Sequence, residues 1–238
     1  VIKKRNLQLG VGGLLIGSIV GFVFAGSLNG GTPRQRGGAS QHDTSQSPIA
    51  QTSDATDKKM IDTASETVQL AKREPENFEA QMRAAEVYYQ IEGYDKAIGY
   101  LLRANQIRPD DDEVLVALGN INFVASHLEE AEKWFEMSLG KHPDDVNIRT
   151  NLGMTFLFRE RPDLERAITE FRRSLSRNPL HESTLQNLVI ALARKGERAQ
   201  AQAMLDQLER AYPKNTALEE LRLEVNRMSK ATSQTAIR

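Results

Sequence analysis

Residues 112–145 read DEVLVALGNINFVASHLEEAEKWFEMSLGKHPDD, and the order of marks within them decides the fold. Leu118-Gly119 lies in a first apolar stretch, Ala131 and Phe135 stand four residues apart in a second, and Pro143 closes the segment. The same marks recur on both sides. Pro75, Pro109, Pro143, Pro179 and Pro213 fall 34, 34, 36 and 34 residues apart. Ala97, Ala131, Ala167 and Ala201 keep step with them, each followed four residues later by Leu101, Phe135, Phe171 or Leu205. A period in this range belongs to a helical repeat array, whose units bury their apolar faces only against one another.

Each unit offers two amphipathic stretches, such as Glu79 to Ile91 and Tyr94 to Ile107, too short to be stable alone. Small residues (Ala85, Gly119 and Gly153 in the first stretch, the four alanines in the second) allow two helices to approach closely. The prolines stop the second helix, and the acids that follow, Asp110 to Glu113, Asp144-Asp145 and Glu182, fall where the next helix dipole favours negative charge. With Ala84-Ala85, Leu118-Gly119, Leu152-Gly153 and Leu188-Val189 in register, the chain resembles the tetratricopeptide repeat (TPR) family and its L-G…A-x3-F…P pattern. The resemblance implies an all-α solenoid of four helix hairpins: 78–111, 112–145, 146–181 with a two-residue insertion around Arg161-Pro162-Asp163, and 182–215. An amino-terminal cap helix is expected over 58–77. A carboxyl-terminal cap is expected over 216–229, covering the open end with Leu218, Leu221, Leu223 and Val225, and a tail over 230–238. Val189 and Leu208 are bulkier than their counterparts, so the fourth hairpin is expected either to pack more loosely or to face something different, the segment after Thr216 supplying that partner.

The amino terminus has a different character. Residues 7–26 carry no formal charge and are long enough for a transmembrane helix, with a short basic cytoplasmic tail, 1–6, before them. A cleaved signal peptide ending near Val23-Phe24-Ala25 is the competing reading. Gly13, Gly17 and Gly21 repeat every four residues, which suits close contact with another membrane helix, in a homodimer or a larger complex. Residues 27–57, rich in Gly, Ser, Thr and Gln, read as a flexible linker. These features together predict a single-pass protein of the bacterial inner membrane with its repeats on the periplasmic side.

No chemistry is signalled. The chain has no cysteine, and its four histidines do not form a metal-binding pair on a helix. No phosphate-cradling glycine loop is present, so no catalytic residue, metal or cofactor is assigned and the chain is read as a non-enzyme. The net charge of −1 hides an asymmetry: residues 60–145 hold 18 acids and 8 bases, and 146–238 hold 11 acids and 16 bases. The bases are interleaved with acids, which argues against nucleic acid. What remains is protein binding.

By resemblance to TPR proteins, the first helices line a groove for a partner peptide. In this chain that face comprises Met82, Glu86, Tyr89 and Gln90; Val116, Asn120, Phe123 and Val124; Thr150, Asn151, Met154, Leu157 and Phe158; and Gln186, Asn187, Ile190 and Arg194. Tyr89, Phe123 and Leu157 are expected to form an apolar stripe, and Asn120, Asn151 and Asn187 to pair with an extended backbone. The lysines of a carboxylate clamp are missing from it. The function expected is a membrane-tethered adaptor that assists assembly or maturation of envelope proteins; the alternative is a permanent structural subunit of a membrane complex.

Overall fold

The computed structural model describes residues 50–235. The tail 1–6, the anchor 7–26 with Gly13, Gly17 and Gly21, and linker residues 27–49 lie outside the described residues. Among those described, no helix is long and apolar enough to cross a membrane. The described chain forms α1 Ala50–Arg73, α2 Phe78–Gln90, α3 Tyr94–Ile107, α4 Asp112–Val124, α5 Leu128–Lys141, α6 Val146–Leu157, α7 Leu164–Arg177, α8 Glu182–Lys195, α9 Arg198–Ala211 and α10 Leu218–Thr235. The fold is therefore all-α, built from TPR-like hairpins α2–α3, α4–α5, α6–α7 and α8–α9.

Two boundaries differ from expectation. Helix α1 starts at Ala50, inside the stretch assigned to the linker. Composition misled there: Ser, Thr, Gln and Asp suggest a tether, yet no glycine or proline interrupts the chain between Pro48 and Pro75. Helix α10 runs on to Thr235, into the expected tail.

Five identical turns explain the proline spacing. The residue before each proline accepts, at its carbonyl, the N–H of the residue two after it: Asn77 to Glu74 at 3.0 Å, Asp111 to Arg108 at 3.2 Å, Asp145 to His142 at 3.1 Å, His181 to Asn178 at 3.1 Å and Asn215 to Tyr212 at 3.0 Å. Proline suits the second position of such a turn and cannot continue the helix before it. The last residue of the turn then caps the next helix where it is Asn77 or Asp145, whose side-chain oxygens accept from Ala80 N–H at 3.1 Å and Ile148 N–H at 2.9 Å.

A second repeated bond closes each hairpin at its tip. Gly93 N–H donates to Tyr88 O at 2.8 Å, His127 to Asn122 at 2.8 Å, Asp163 to Phe156 at 3.0 Å and Glu197 to Leu192 at 2.9 Å. The α6–α7 hairpin keeps this bond although its tip is longer; the surplus is taken up at the exposed Glu160, Arg161 and Pro162. In the other three, one residue turns left-handed: Glu92 (φ 57°), Ser126 (φ 64°) and Gly196 (φ 86°). Only the last is glycine, the residue for which that conformation is free of strain.

Helix pairs meet at the small-and-large positions. A Cβ on Gly119 would lie 2.4 Å from the Phe135 ring, and one on Gly153 2.5 Å from the Phe171 ring. Both phenylalanines are fully buried. The corresponding pair in the last hairpin is Val189 with Leu205, and both are as deeply buried, as is Leu208. Of the two expected outcomes, a different neighbour is found and loosening is not: volume lost from the aromatic ring is returned by the valine, and Leu208 sits in one core with Ala217 of the closing turn and with Leu218, Leu221 and Val225 of α10. Leu223, by contrast, does not cover the end. It falls off the 218, 221, 225 stripe and is 68% exposed.

The described residues divide into two compact units, 50–111 and 112–235. In the first, α1 packs on α2 and α2 on α3, around Val68, Ala71, Ala80 and Ala84. In the second, each helix from α4 to α9 packs on the next, α10 covers α8 and α9, and the first helices α4, α6 and α8 touch in sequence.

Candidate functional site

The middle of α4 and the N-terminal halves of α6 and α8 border a cleft of about 770 Å³, with the α9–α10 turn at one end. Val116 and Asn120 come from α4; Asn147, Ile148, Thr150 and Asn151 from α6; Glu182, Ser183 and Gln186 from α8. Asp145, Asn178 and His181 come from the proline turns, and Tyr212, Lys214, Asn215, Thr216 and Ala217 from the closing segment. Tyr212 O–H donates to Leu180 O at 2.5 Å and Asn215 Nδ2 to Glu182 Oε1 at 2.5 Å, which fixes that wall.

Inside the cleft Asn151 Nδ2 donates to Asn120 Oδ1 at 3.0 Å. Asn120 is 1% exposed. The pair leaves one amide N–H group and one amide oxygen without a partner among the described residues, and it does so whichever way the two amides are turned. One repeat further on, the equivalent residues are Met154 and Asn187. No amide pair forms there, and Asn187 Oδ1 is buried without a hydrogen bond.

His181 occupies the turn position held by Asn77 and Asp145 elsewhere, but its ring makes no backbone cap. Its Nε2 lies 3.0 Å from Asn147 Oδ1 and its Nδ1 2.6 Å from Thr184 Oγ1. An amide oxygen only accepts, so Nε2 carries the proton and Nδ1 accepts from the threonine hydroxyl. Burial pushes the imidazole below its ordinary value, against the opposing pull of Asp145 and Glu182. Thr184 belongs in turn to a buried hydroxyl trio, 2.6 Å from Thr150 and 3.1 Å from Ser174. One repeat earlier the equivalents are Val116, Ser138 and Ile148, and the Ser138 hydroxyl has no partner.

Of the groove residues expected from sequence, Val116, Asn120, Thr150, Asn151 and Gln186 line this cleft. Met154, Leu157, Asn187 and Ile190 are buried between helices and do not line the cleft, so the stripe through Leu157 does not form in the second unit. At the other end of the same helices Phe123 meets Phe158 edge-on at 6.2 Å, and Arg194 lies 5.7 Å over the Phe158 ring and 3.8 Å from Glu224; Val124 is half-buried nearby in sequence. In the first unit Met82 is buried, Gln90 exposed and Glu86 half-buried, its carboxyl raised by burial against the pull of Arg83. Tyr89 is tilted against Tyr94 with ring centroids 6.0 Å apart. Sequence reading missed Asn147, His181, Glu182, Ser183, Lys214 and Asn215. Their signal was position, since all six lie within four residues of a repeat proline.

Hairpins with a shared turn frame, small-and-large joints and a cleft across successive first helices define a TPR-type helical-repeat scaffold for protein–protein interaction. The crystal structure of a MamA protein matches with TM-score 0.58 and 18% identity over 68% of this chain and 87% of that one. YrrB, described as a TPR protein with an unusual peptide-binding site, matches with TM-score 0.59 and 17% identity over 71% of this chain and 86% of that one. MamA 41-end from Desulfovibrio magneticus RS-1 gives 0.57 and 18% over 63% and 86%. At such identities the likeness is one of fold. Within the helical-repeat class, the chain belongs to the coatomer epsilon subunit family, whose model matches residues 39–236. No curated protein matches it in sequence.

Proposed function

We infer that the chain is a scaffold tethered to the membrane by residues 7–26, with its repeats on the periplasmic side, which holds client proteins during assembly or maturation of the envelope. The cleft on α4, α6 and α8 receives an extended segment of the client. The Asn120–Asn151 pair carries this reading: its free N–H and free carbonyl match the acceptor and donor of a main-chain peptide unit. YrrB, with a peptide-binding site on a similar fold, supports the same use. Copurification from native membranes tests it. Clients captured by the unaltered chain are expected to be lost with Asn120→Ala/Asn151→Ala, and undiminished capture by that folded variant would place binding elsewhere.

A second reading, a permanent subunit held through Gly13, Gly17 and Gly21, draws support from a family that is itself named for a subunit. Fixed stoichiometry through detergent extraction and salt washing would favour it. Release at higher salt would favour the adaptor.

A further inference from the structure

Several carboxylates of the second unit stand outside its ion pairs, and two of these border the cleft. Asp144 meets Arg177 at 2.7 Å, Glu165 meets Lys195 at 2.7 Å, and Glu170 meets both Arg149 and Arg173 at 2.8 Å. Asp145 and Glu182, half-buried in the cleft, have no cationic partner among the described residues. Both act on His181, which ties them to one place. Lys214 borders the same cleft from the exposed α9–α10 turn and is also unpaired. Across the cleft wall stands the Asn120–Asn151 pair, with Asn120 buried and Asn151 half-buried, whose open end faces the cleft and is an independent sign that a polar ligand belongs there.

We propose that the segment held in this cleft carries a lysine or arginine whose cationic head lies at Asp145 and Glu182, while its main chain pairs with Asn120 and Asn151. This rests on the reading of the cleft as a site for extended chain and narrows the class of partner. A basic side chain can reach the carboxylates from a backbone held at the amides, and charge-assisted bonds to partly buried carboxylates are worth more than those to exposed ones.

The full chain is used to select random dodecapeptides displayed on phage, and the selected peptides are synthesised for fluorescence anisotropy. A Lys or Arg in fixed register is expected among them. Its replacement by alanine should weaken binding about tenfold to the unaltered chain, and less than about twofold to Asp145→Asn/Glu182→Gln. Those substitutions retain the oxygens that cap Ile148 and accept from Asn215, so the fold is kept. Peptides that need Asn120 and Asn151 but show no basic preference, or an acidic one, overturn the basic occupant and leave the extended-segment reading standing. A basic preference unchanged in the double variant overturns it as well. Peptides indifferent to Asn120→Ala/Asn151→Ala overturn both.

Discussion

In the α4–α5 hairpin a glycine lies under the Phe135 ring, a serine sits unpaired in the core and a serine takes the left-handed turn; in α8–α9 the same positions hold Val189 with Leu205, Leu208, and Gly196. The turn bonds at Asn122–His127 and Leu192–Glu197 are nevertheless alike, at 2.8 and 2.9 Å. Backbone geometry is thus set by the turns, and the joint between helices needs only a conserved volume. What differs is the neighbour. Helix α5 packs on another hairpin through α6, whereas α9 faces α10, and a long aliphatic side chain at Leu208 fills the space beneath the cap.

The strongest way to break the comparison is to exchange contents at that position. Leu208→Ser should cost about 3 kcal/mol by urea denaturation, through a cavity and a hydroxyl without a partner. Ser138→Ala should cost little, because its hydroxyl makes no bond to lose.

Next comes the joint itself. Gly119→Ala should cost about 2 kcal/mol, its Cβ meeting the Phe135 ring, and adding Phe135→Leu should recover part of that loss, as Ala85 with Leu101 already suggests. Strict additivity of the two substitutions would show that volume is not what is exchanged. Smaller again, Ser126→Gly should raise stability by about 0.5–1 kcal/mol by relieving its left-handed backbone, and Gly196→Ala should lower it by a similar amount.

The least effect is the pH response of His181. Its folded value lies below the ordinary 6.5 through burial, so its contribution is complete above about pH 6.5 and is lost as pH falls through that value toward the folded one. Thermal melts of His181→Asn, which supplies a capping side chain, should flatten this dependence relative to the unaltered protein.

The hairpins were legible because five prolines and the paired small and large residues repeat at fixed spacing, and those marks are what the turns and joints use. The exposed face was not. Helices α6 and α8 are buried against their own partners and against neighbouring helices of the second unit, so Leu157 and Ile190 sit in a nearly continuous apolar pattern that does not single out the open arc. His181 was hidden for another reason: its role follows from standing at a capping position while bonding to Asn147, 34 residues away.

The α6–α7 tip shows where chain length and fold are independent. Two residues more than in the sister repeats pass between Phe156 and Asp163 without disturbing the bond that joins them, and Arg159 and Arg166 hold the base of the loop by stacking at 4.8 and 4.0 Å on the Phe156 ring and pairing with Glu132. The exposed Glu160–Arg161 step is therefore a ready splice point, where a fluorophore-binding tag or a protease site can be inserted to report on the protein inside a living cell.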